Sequence, residues 1–400
     1  MSQSLSEYET NSKDFTEPGV EPEIMPNLEL SEERTQFQKL AREFADGEIS
    51  PLAEEFDKTG DFPNGPVRKA WEIGLVNFQV AEALGGLNLQ TFDSCIILEE
   101  LAAGCSGIAG PIEASAIAQL PLLKFGTEAQ QEKFLKPLLD DCLLAGYASQ
   151  DATIDDIEAR FDGEKYLLNG QHTALVNGGH ANWYFVVASH LEPESEQLSS
   201  TAFIVPANAE GITFGESFKT IGRRARAVSS VEFHNVELSS DMIVGTPGNA
   251  SEVIEGILPE LYCFVAAGAV GVARKAIEHA INYSKERQTF GRPISQHQGI
   301  AFMLAEMARE AEAARYLTWQ AAYLIDEGKS ALKEALSAKS YAQDVCMRVT
   351  TDAVQIYGGY GYSKEYPVEK LMRDAKILQL SEQSPGELKA SLARELIGIS

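Results

Sequence analysis

The chain has 400 residues, of which 44% are hydrophobic and 23% charged, and its formal net charge is −26 at pH 7. Its length suggests two or three domains. The negative charge argues against nucleic acid and an anionic membrane surface as partners, because both would repel the protein. Five cysteines without a paired spacing favour a reducing compartment over a disulfide framework. We find no secretory signal and no apolar run near the ~20 residues that span a bilayer, so we predict a cytoplasmic protein.

Helical patterns dominate the first third of the chain. Residues 1–29 are polar and acidic, which predicts a disordered tail. Ser31 followed by two glutamates is a helix start signal. Further helical patterns cover residues 95–101 and 114–125, with glycines between 104 and 110 predicted to interrupt them. We therefore predict an N-terminal helical domain over residues 30–145.

Near residue 146 the sequence changes from helical patterns to short runs of β-branched and aromatic residues. Turn signals at Asn169-Gly170, Asn177-Gly178-Gly179 and Glu210-Gly211 separate these runs. The pattern predicts a small antiparallel β domain, barrel-like or a sandwich, over residues 146–250.

The last third is helical again. Val265, Ala269, Val272 and Ala276 recur on one helix face. Long helical patterns over residues 300–327 and 332–357 predict a C-terminal four-helix bundle over residues 251–400. The expected fold class is therefore α+β, with a β domain between two helical domains.

Two stretches carry the strongest chemical signals, ERQTFGRPISQHQ at residues 286–298 and the segment from 355 to 396. Both resemble the C-terminal domain of the acyl-CoA dehydrogenase family, which removes an α-proton from an acyl thioester and passes a hydride from Cβ to FAD. The resemblance runs from about residue 30 to 396. It implies the three-domain fold and FAD, and a thioester substrate on CoA or an acyl-carrier protein. It also implies electron-transfer flavoprotein or oxygen as acceptor, and a homotetramer or homodimer.

Glu382 stands where the family has its catalytic base, a few residues after Arg373-Asp-Ala-Lys-Ile377. A glutamate in an apolar pocket suits this role because desolvation raises its pKa, while donors at the carbonyl oxygen stabilise the enolate. The resemblance implies that the Glu382 backbone N–H is one such donor. Gln383 and Ser384 follow where the family has Gly and Thr. Taken alone, Glu382 also fits a solvated loop carboxylate; with its surroundings, we predict catalysis.

The same resemblance implies residues that hold FAD across a subunit interface. Arg287-Gln-Thr-Phe-Gly291 matches a motif whose arginine grips the pyrophosphate, although a basic helix end is the alternative. Gln355-Ile-Tyr-Gly-Gly359 matches a motif near the adenosine, although Gly-Gly also ends many helices. The predicted cofactor contacts are Arg287, Thr289, Phe290, Gln298, Gln355, Gly358, Gly359 and Ser384. Arg373 and Asp374 are predicted to form a structural ion pair.

The middle of the chain departs from the family near the flavin. Residues 147–156 lack the family's glycine-rich loop, and three aspartates there place negative charge where the diphosphate is expected. Ala174 replaces a tryptophan that covers the flavin, and Val176 replaces a threonine expected to bond near its N5 atom. On the substrate side, Leu261-Tyr-Cys263 replaces a residue that is often polar.

These departures leave two alternatives open. Glu382 could perform non-redox α-proton chemistry, a β-elimination or an isomerisation, with FAD altered or lost. The chain could also be a non-catalytic partner subunit. The six histidines show no metal-ligand spacing, so we predict no metal site.

Overall fold

The computed structural model describes residues 30–149, 157–191 and 198–398. The predicted tail at 1–29 and the altered loop at 150–156 lie outside the described residues. The described chain is helical, then β, then helical, which confirms the predicted fold class. The domain boundaries stay predictions.

The described N-terminal residues from 30 onward contain six α-helices. They are α1 Glu32–Phe44, α2 Ala53–Thr59, α3 Asn64–Glu72, α4 Thr91–Phe125, α5 Glu128–Phe134 and α6 Lys136–Asp140. Ser31 begins α1 as predicted, because its side chain accepts a hydrogen bond from the backbone of Arg34 at 3.2 Å.

The interruption predicted between residues 104 and 110 is confirmed in α4. Two helical stretches meet there at a kink at Cys105, beside Gly104, where the backbone is extended (φ −168°, ψ 113°). The glycines serve close packing here: a Cβ on Gly104 would lie 3.0 Å from Ala45. Because α4 is apolar all round, it lies inside the protein.

Between residues 145 and 244, the described part of the chain contains eight strands that pair into one mostly antiparallel sheet. They are β1 Ala145–Ala148, β2 Glu158–Phe161, β3 Tyr166–Val176, β4 Trp183–Leu191, β5 Leu198–Pro206, β6 Ile212–Ser217, β7 Val228–Leu238 and β8 Ile243–Val244. Their order is β6-β7-β3-β1-β4-β5-β8, and β2 also lies between β3 and β4. The turn predicted at Asn169-Gly170 is wrong, since both residues lie within β3, where the register with β7 shifts.

The C-terminal helices share one hydrophobic core with the N-terminal helices. They are α7 Ala250–Glu286, α8 Gln298–Asp326, α9 Leu332–Tyr357, α10 Val368–Leu380 and α11 Pro385–Ile397. A hairpin of β9 Gln288–Thr289 and β10 Arg292–Pro293 joins α7 to α8. The central helix α7 packs against α4, α8, α9 and α10, with the predicted face around Val265 buried.

By length and composition, α4 and α7 are apolar enough to cross a membrane. However, 94% and 83% of their most apolar windows are buried inside the protein. They therefore pack as core helices. Glu99, Glu100 and Glu260 interrupt the apolar runs in the sequence, which explains why no such segment was expected.

The predicted ion pair between Arg373 and Asp374 is wrong. Asp374 is fully buried and pairs with Lys370 at 2.6 Å, whereas Arg373 pairs with Asp57 and Glu369, both at 2.7 Å. Neighbouring residues on a helix do not face each other, whereas residues four apart do. Both side chains nevertheless have the architectural role that the sequence indicated.

Candidate active site

Glu382 lies in the short link between α10 and α11, and it is only 4% exposed. The backbone φ angle is +55° at Glu382 and +106° at Gln383, a region that residues other than glycine rarely adopt. Lys339 of α9, which is fully buried, holds this link by donating to the carbonyl oxygens of Ser381 at 2.8 Å and Glu382 at 2.7 Å. The Tyr262 hydroxyl donates to the Gln383 side-chain oxygen at 2.8 Å. The carboxylate is therefore fixed in an otherwise unfavourable turn.

Side chains from the β domain reach the Glu382 carboxylate. The Tyr147 hydroxyl donates to Oε1 at 2.6 Å, and the Ser149 hydroxyl lies 3.5 Å from Oε2. Nη2 of Arg226 lies 3.8 Å from Oε1 and donates to the Tyr147 hydroxyl at 3.2 Å. The β domain and the C-terminal bundle thus meet at this carboxylate, since Tyr147, Ser149 and Arg226 face it and Lys339 of α9 holds its backbone.

Burial and charge set the protonation of these neighbours. Burial, and then the Glu382 carboxylate, raise the pKa of Tyr147 well above its ordinary value, so the phenol stays a donor. Burial alone would lower the pKa of Arg226, but Tyr147, Glu113 and Glu382 outweigh it, and the pKa is raised. A protonated phenol and a charged guanidinium therefore face Glu382.

The carboxylate opens onto an inner cavity of about 260 Å³. Most of its wall is apolar, with Ala174 and Val176 from β3 and Ile377 and Leu380 from α10. Its other lining residues are Ser149, Phe218, Thr220, Gly222, Arg223, Arg226, Val228, Ser381 and Glu382. Apolar walls with a few polar groups at one edge suit a small bound organic group.

The segment that carries Arg226 is anchored by buried polar contacts. Arg223 forms an ion pair with Glu113 of α4 and donates from Nε to the carbonyl oxygen of Ser106 at 3.1 Å. Its backbone N–H donates to Asp374 at 2.6 Å. These contacts fix the approach of the segment to the cavity.

A second opening, the outer groove, lies where the end of α7 and the start of α8 meet the end of α9, and it has a volume of about 610 Å³. It contains four of the predicted cofactor contacts, Arg287, Thr289, Gly358 and Gly359. Its other lining residues are Tyr283, Ile294, His297, Ile300, Ile356, Tyr357 and Tyr360. The outer groove and the inner cavity share no lining residue.

The remaining predicted contacts lie around the groove or apart from it. Phe290 is 96% exposed in the hairpin between α7 and α8. Gln298 begins α8, and Gln355 lies in the last turn of α9. Ser384 caps α11, since its hydroxyl oxygen accepts a hydrogen bond from the backbone N–H of Glu387 at 3.4 Å. The structure thus gives Ser384 a local role, and its contact with a cofactor stays a prediction.

Sequence reasoning missed Tyr147, Arg226 and Lys339. Lys339 could have been found, because it stands among the buried alanines 335, 338 and 342 at helical spacing, where a lysine in an apolar stripe is unusual. Tyr147 and Arg226 belong to no motif that was recognised, and only the packing of the domains brings them to Glu382.

Comparison with known proteins finds one family across all three parts of the fold. Models of the acyl-CoA dehydrogenase N-terminal, middle and C-terminal domains match residues 31–141, 148–236 and 257–384. An acyl-CoA dehydrogenase of Bacillus subtilis (strain 168) is 35% identical over 379 residues, covering 93% of this chain and 100% of the relative.

Solved structures agree with these matches. Butyryl-CoA dehydrogenase from Megasphaera elsdenii has a TM-score of 0.89 at 33% identity, covering 93% of this chain and 100% of that one. A chain solved in work on the electron transferring flavoprotein of Acidaminococcus fermentans has a TM-score of 0.87 at 34% identity, covering 93% and 99%. The likeness therefore includes all three parts of the fold.

Proposed function

The chain belongs to the acyl-CoA dehydrogenase family, and we propose that it oxidises an acyl thioester between Cα and Cβ, with Glu382 as the base. Its relatives are oxidoreductases that act on CH–CH bonds. The observation that carries the proposal is the buried Glu382 carboxylate at the polar edge of an apolar cavity.

The surroundings of Glu382 suit removal of an α-proton. The α-proton of a thioester is weakly acidic, so the base must be held beside it in a site that excludes water. Lys339 fixes the backbone of Glu382, Tyr147 orients its carboxylate, and the buried Val176 keeps water away on the β3 side. The carboxylate takes the proton, and the negative charge moves to the thioester oxygen.

FAD is the cofactor that membership of the family implies, and when bound it accepts the hydride from Cβ. The outer groove fits the phosphate and adenosine part of such a molecule. A Cβ built on Gly358 or Gly359 would meet no atom within 4 Å, so ligand can approach the backbone there. Arg287 and Thr289 supply donors for phosphate oxygens. By the resemblance, these residues would hold the FAD of a neighbouring subunit in a homotetramer or homodimer.

The visible absorption spectrum of the purified protein tests this proposal. We expect bound flavin, and we expect anaerobic butyryl-CoA or another saturated acyl-CoA to bleach it. Glu382→Gln should retain the flavin, and the rate of bleaching should fall by a factor of about 100 or more, the usual contribution of a general base. Bleaching by the variant at the wild-type rate would remove Glu382 as the base.

A second function, α-proton chemistry without redox, is favoured by one observation. Arg226 and Tyr147 contact Glu382 and each other, which supplies a cation and a protonated donor beside the base. Such a set could isomerise a double bond or eliminate a β-substituent. A protein that is colourless and retains no added FAD would favour this function and exclude the first.

The partners follow from the first function. The thioester is carried by CoA or by an acyl-carrier protein, and the electrons pass to electron-transfer flavoprotein or to oxygen. The likeness to a chain studied with electron transferring flavoprotein supports the former acceptor. If the chain were a non-catalytic partner subunit, Glu382→Gln would leave the activity of the assembled complex unchanged.

A further inference from the structure

The inner cavity contains a charged group that the proposed reaction has not yet used, the guanidinium of Arg226. Its side chain is 8% exposed, and its Nε atom is buried with no hydrogen-bond acceptor among the described residues. Buried N–H groups are nearly always bonded, so an unpaired one requires an explanation. Arg226 lines the cavity itself, so a ligand oxygen there would supply the missing acceptor.

The fold makes room for this side chain. Gly110 of α4 faces it, and a Cβ at that position would lie 2.9 Å from the Arg226 Cβ atom and 3.0 Å from its Cγ atom. Glu113, the other nearby carboxylate, pairs with Arg223. Among the described residues, the carboxylate within ion-pair distance of Arg226 is therefore that of Glu382.

We propose that Arg226 binds the thioester carbonyl oxygen and stabilises the enolate that forms when Glu382 removes the α-proton. The proposal rests on the proposed role of Glu382. In this step the C–H electron pair becomes the double bond between Cα and the carbonyl carbon. The carbonyl π pair moves to oxygen, and the proton goes to the Glu382 carboxylate. The step needs no oxidant.

Charge balance is the main physical argument. Before proton transfer, the guanidinium faces the negative charge of Glu382 at 3.8 Å. After transfer, Glu382 is neutral, and a buried cation without an anion would be unfavourable. The enolate oxygen takes over that charge within reach of the same guanidinium, so the net charge of the cavity stays constant. Preorganised donors aimed at a developing negative charge are usually the largest single contribution to enzyme catalysis.

Tyr147 joins the two groups as a positioning residue. It donates to Glu382 at 2.6 Å and accepts from Arg226 at 3.2 Å. Nη2 of Arg226 thus donates to Tyr147, while its Nε–H can donate to a ligand oxygen.

Binding of 3-oxobutyryl-CoA to the purified holoprotein tests the proposal. This thioester resists dehydrogenation and has an acidic α-proton, and its enolate has its own ultraviolet absorption. Its affinity and the fraction bound as enolate are measured at one neutral pH for the wild type, Arg226→Gln, Glu382→Gln and the double variant. Arg224→Gln is the matched control, since Arg224 lies two residues away and outside the lining of the cavity.

The expected order of enolate affinity is Glu382→Gln above wild type, and wild type above Arg226→Gln. The enolate affinity of Arg226→Gln should be about tenfold below that of the wild type, the value of one charge-assisted hydrogen bond. Arg224→Gln should bind the enolate as the wild type does. If Arg226→Gln does not fold, the double variant carries the test, because it leaves neither charge unpaired. It should bind the enolate about tenfold more weakly than Glu382→Gln.

Equal affinities of the double variant and Glu382→Gln would overturn the proposal, as would wild-type protein that binds only the keto form. Neither result bears on whether Glu382 is the base, because the loss of flavin bleaching in Glu382→Gln decides that question separately.

Discussion

The outer groove is lined by residues close together in the sequence, whereas the inner cavity is lined by residues from distant parts of the chain. The groove uses residues between 283 and 300 and between 356 and 360, all within the C-terminal bundle. The inner cavity joins β3, the segment around Arg226 and the link at Glu382. Its shortest contact to the carboxylate, from Tyr147, connects residues 235 positions apart.

This difference predicts which property of the protein a substitution at each site should change. The groove is lined by two short stretches of sequence, so its shape depends on the C-terminal bundle alone. The inner cavity depends on the packing of the β domain against the bundle, and buried ion pairs maintain that packing. Changes to the groove should therefore affect ligand affinity, whereas changes around the inner cavity should affect stability and chemistry together.

The largest effect is expected from Asp374→Asn, beneath the inner cavity. Removing one partner of a buried ion pair costs about 3–5 kcal/mol, and here Lys370 would lose its carboxylate. Chemical denaturation measures the loss. Asp241→Asn is the control, because its ion pair with Lys133 is exposed, and it should change stability by less than about 1 kcal/mol. Similar values for the two variants would show that the cavity does not depend on this pair.

The same carboxylate predicts a pH dependence. Burial raises the pKa of Asp374, but Lys370 and hydrogen bonds from Arg223 and Ser106 outweigh burial, and the pKa lies below its ordinary 3.8. Its stabilisation is therefore present above pH 3.8 and is lost as the pH falls through the lower folded value. The wild type should lose stability more steeply than Asp374→Asn in this acid range. Parallel curves would contradict the shift.

The next effect is expected from Lys339→Met, which removes the ammonium that holds the Glu382 link. Charge-assisted hydrogen bonds to two buried carbonyls are lost, at a cost of about 3 kcal/mol. The turnover number should fall, because the carboxylate is less well positioned, while FAD retention by the outer groove stays unchanged. Lys333→Met is the control on the same helix, where the side chain is half exposed. Loss of FAD in Lys339→Met would show that the two sites are coupled.

Arg287→Gln tests the groove in turn. Loss of a guanidinium that grips phosphate should lower FAD affinity about tenfold to a hundredfold, with the unfolding free energy of the FAD-free protein unchanged. Titration of that protein with FAD measures the change. Arg309→Gln, on the exposed face of α8, should bind FAD as the wild type does. Wild-type affinity in Arg287→Gln would exclude the groove as the phosphate site.

The smallest effect is expected from relieving the strain at Gln383. Its φ of +106° favours glycine, but glycine would also remove the side-chain oxygen to which the Tyr262 hydroxyl donates. We therefore compare Gln383→Gly in a Tyr262→Phe background, where the expected gain is about 1 kcal/mol. Destabilisation in this background would show that the link is not strained.

The sequence alone determined the order of the three parts of the fold and four of the eleven residues that line the outer groove. Helix start signals such as Ser31 and repeated buried faces such as that of Val265 are local, and their period reveals them directly. The groove motifs are local as well, since Arg287, Thr289 and the Gly358-Gly359 pair lie in contiguous stretches. Glu382 was found because its neighbours in sequence carry the family pattern.

The tertiary structure decided what surrounds Glu382. Tyr147, Arg226 and Lys339 lie on three different elements, and no period or spacing links them to the carboxylate. The extension of β3 through Asn169-Gly170 was settled by packing against β7 for the same reason. The partner of Asp374 is different, because Lys370 lies four residues before it on α10 and helical spacing links the two. Local sequence specifies helices, strands and contiguous motifs, whereas the charges that meet in a buried site depend on contacts between distant parts of the chain.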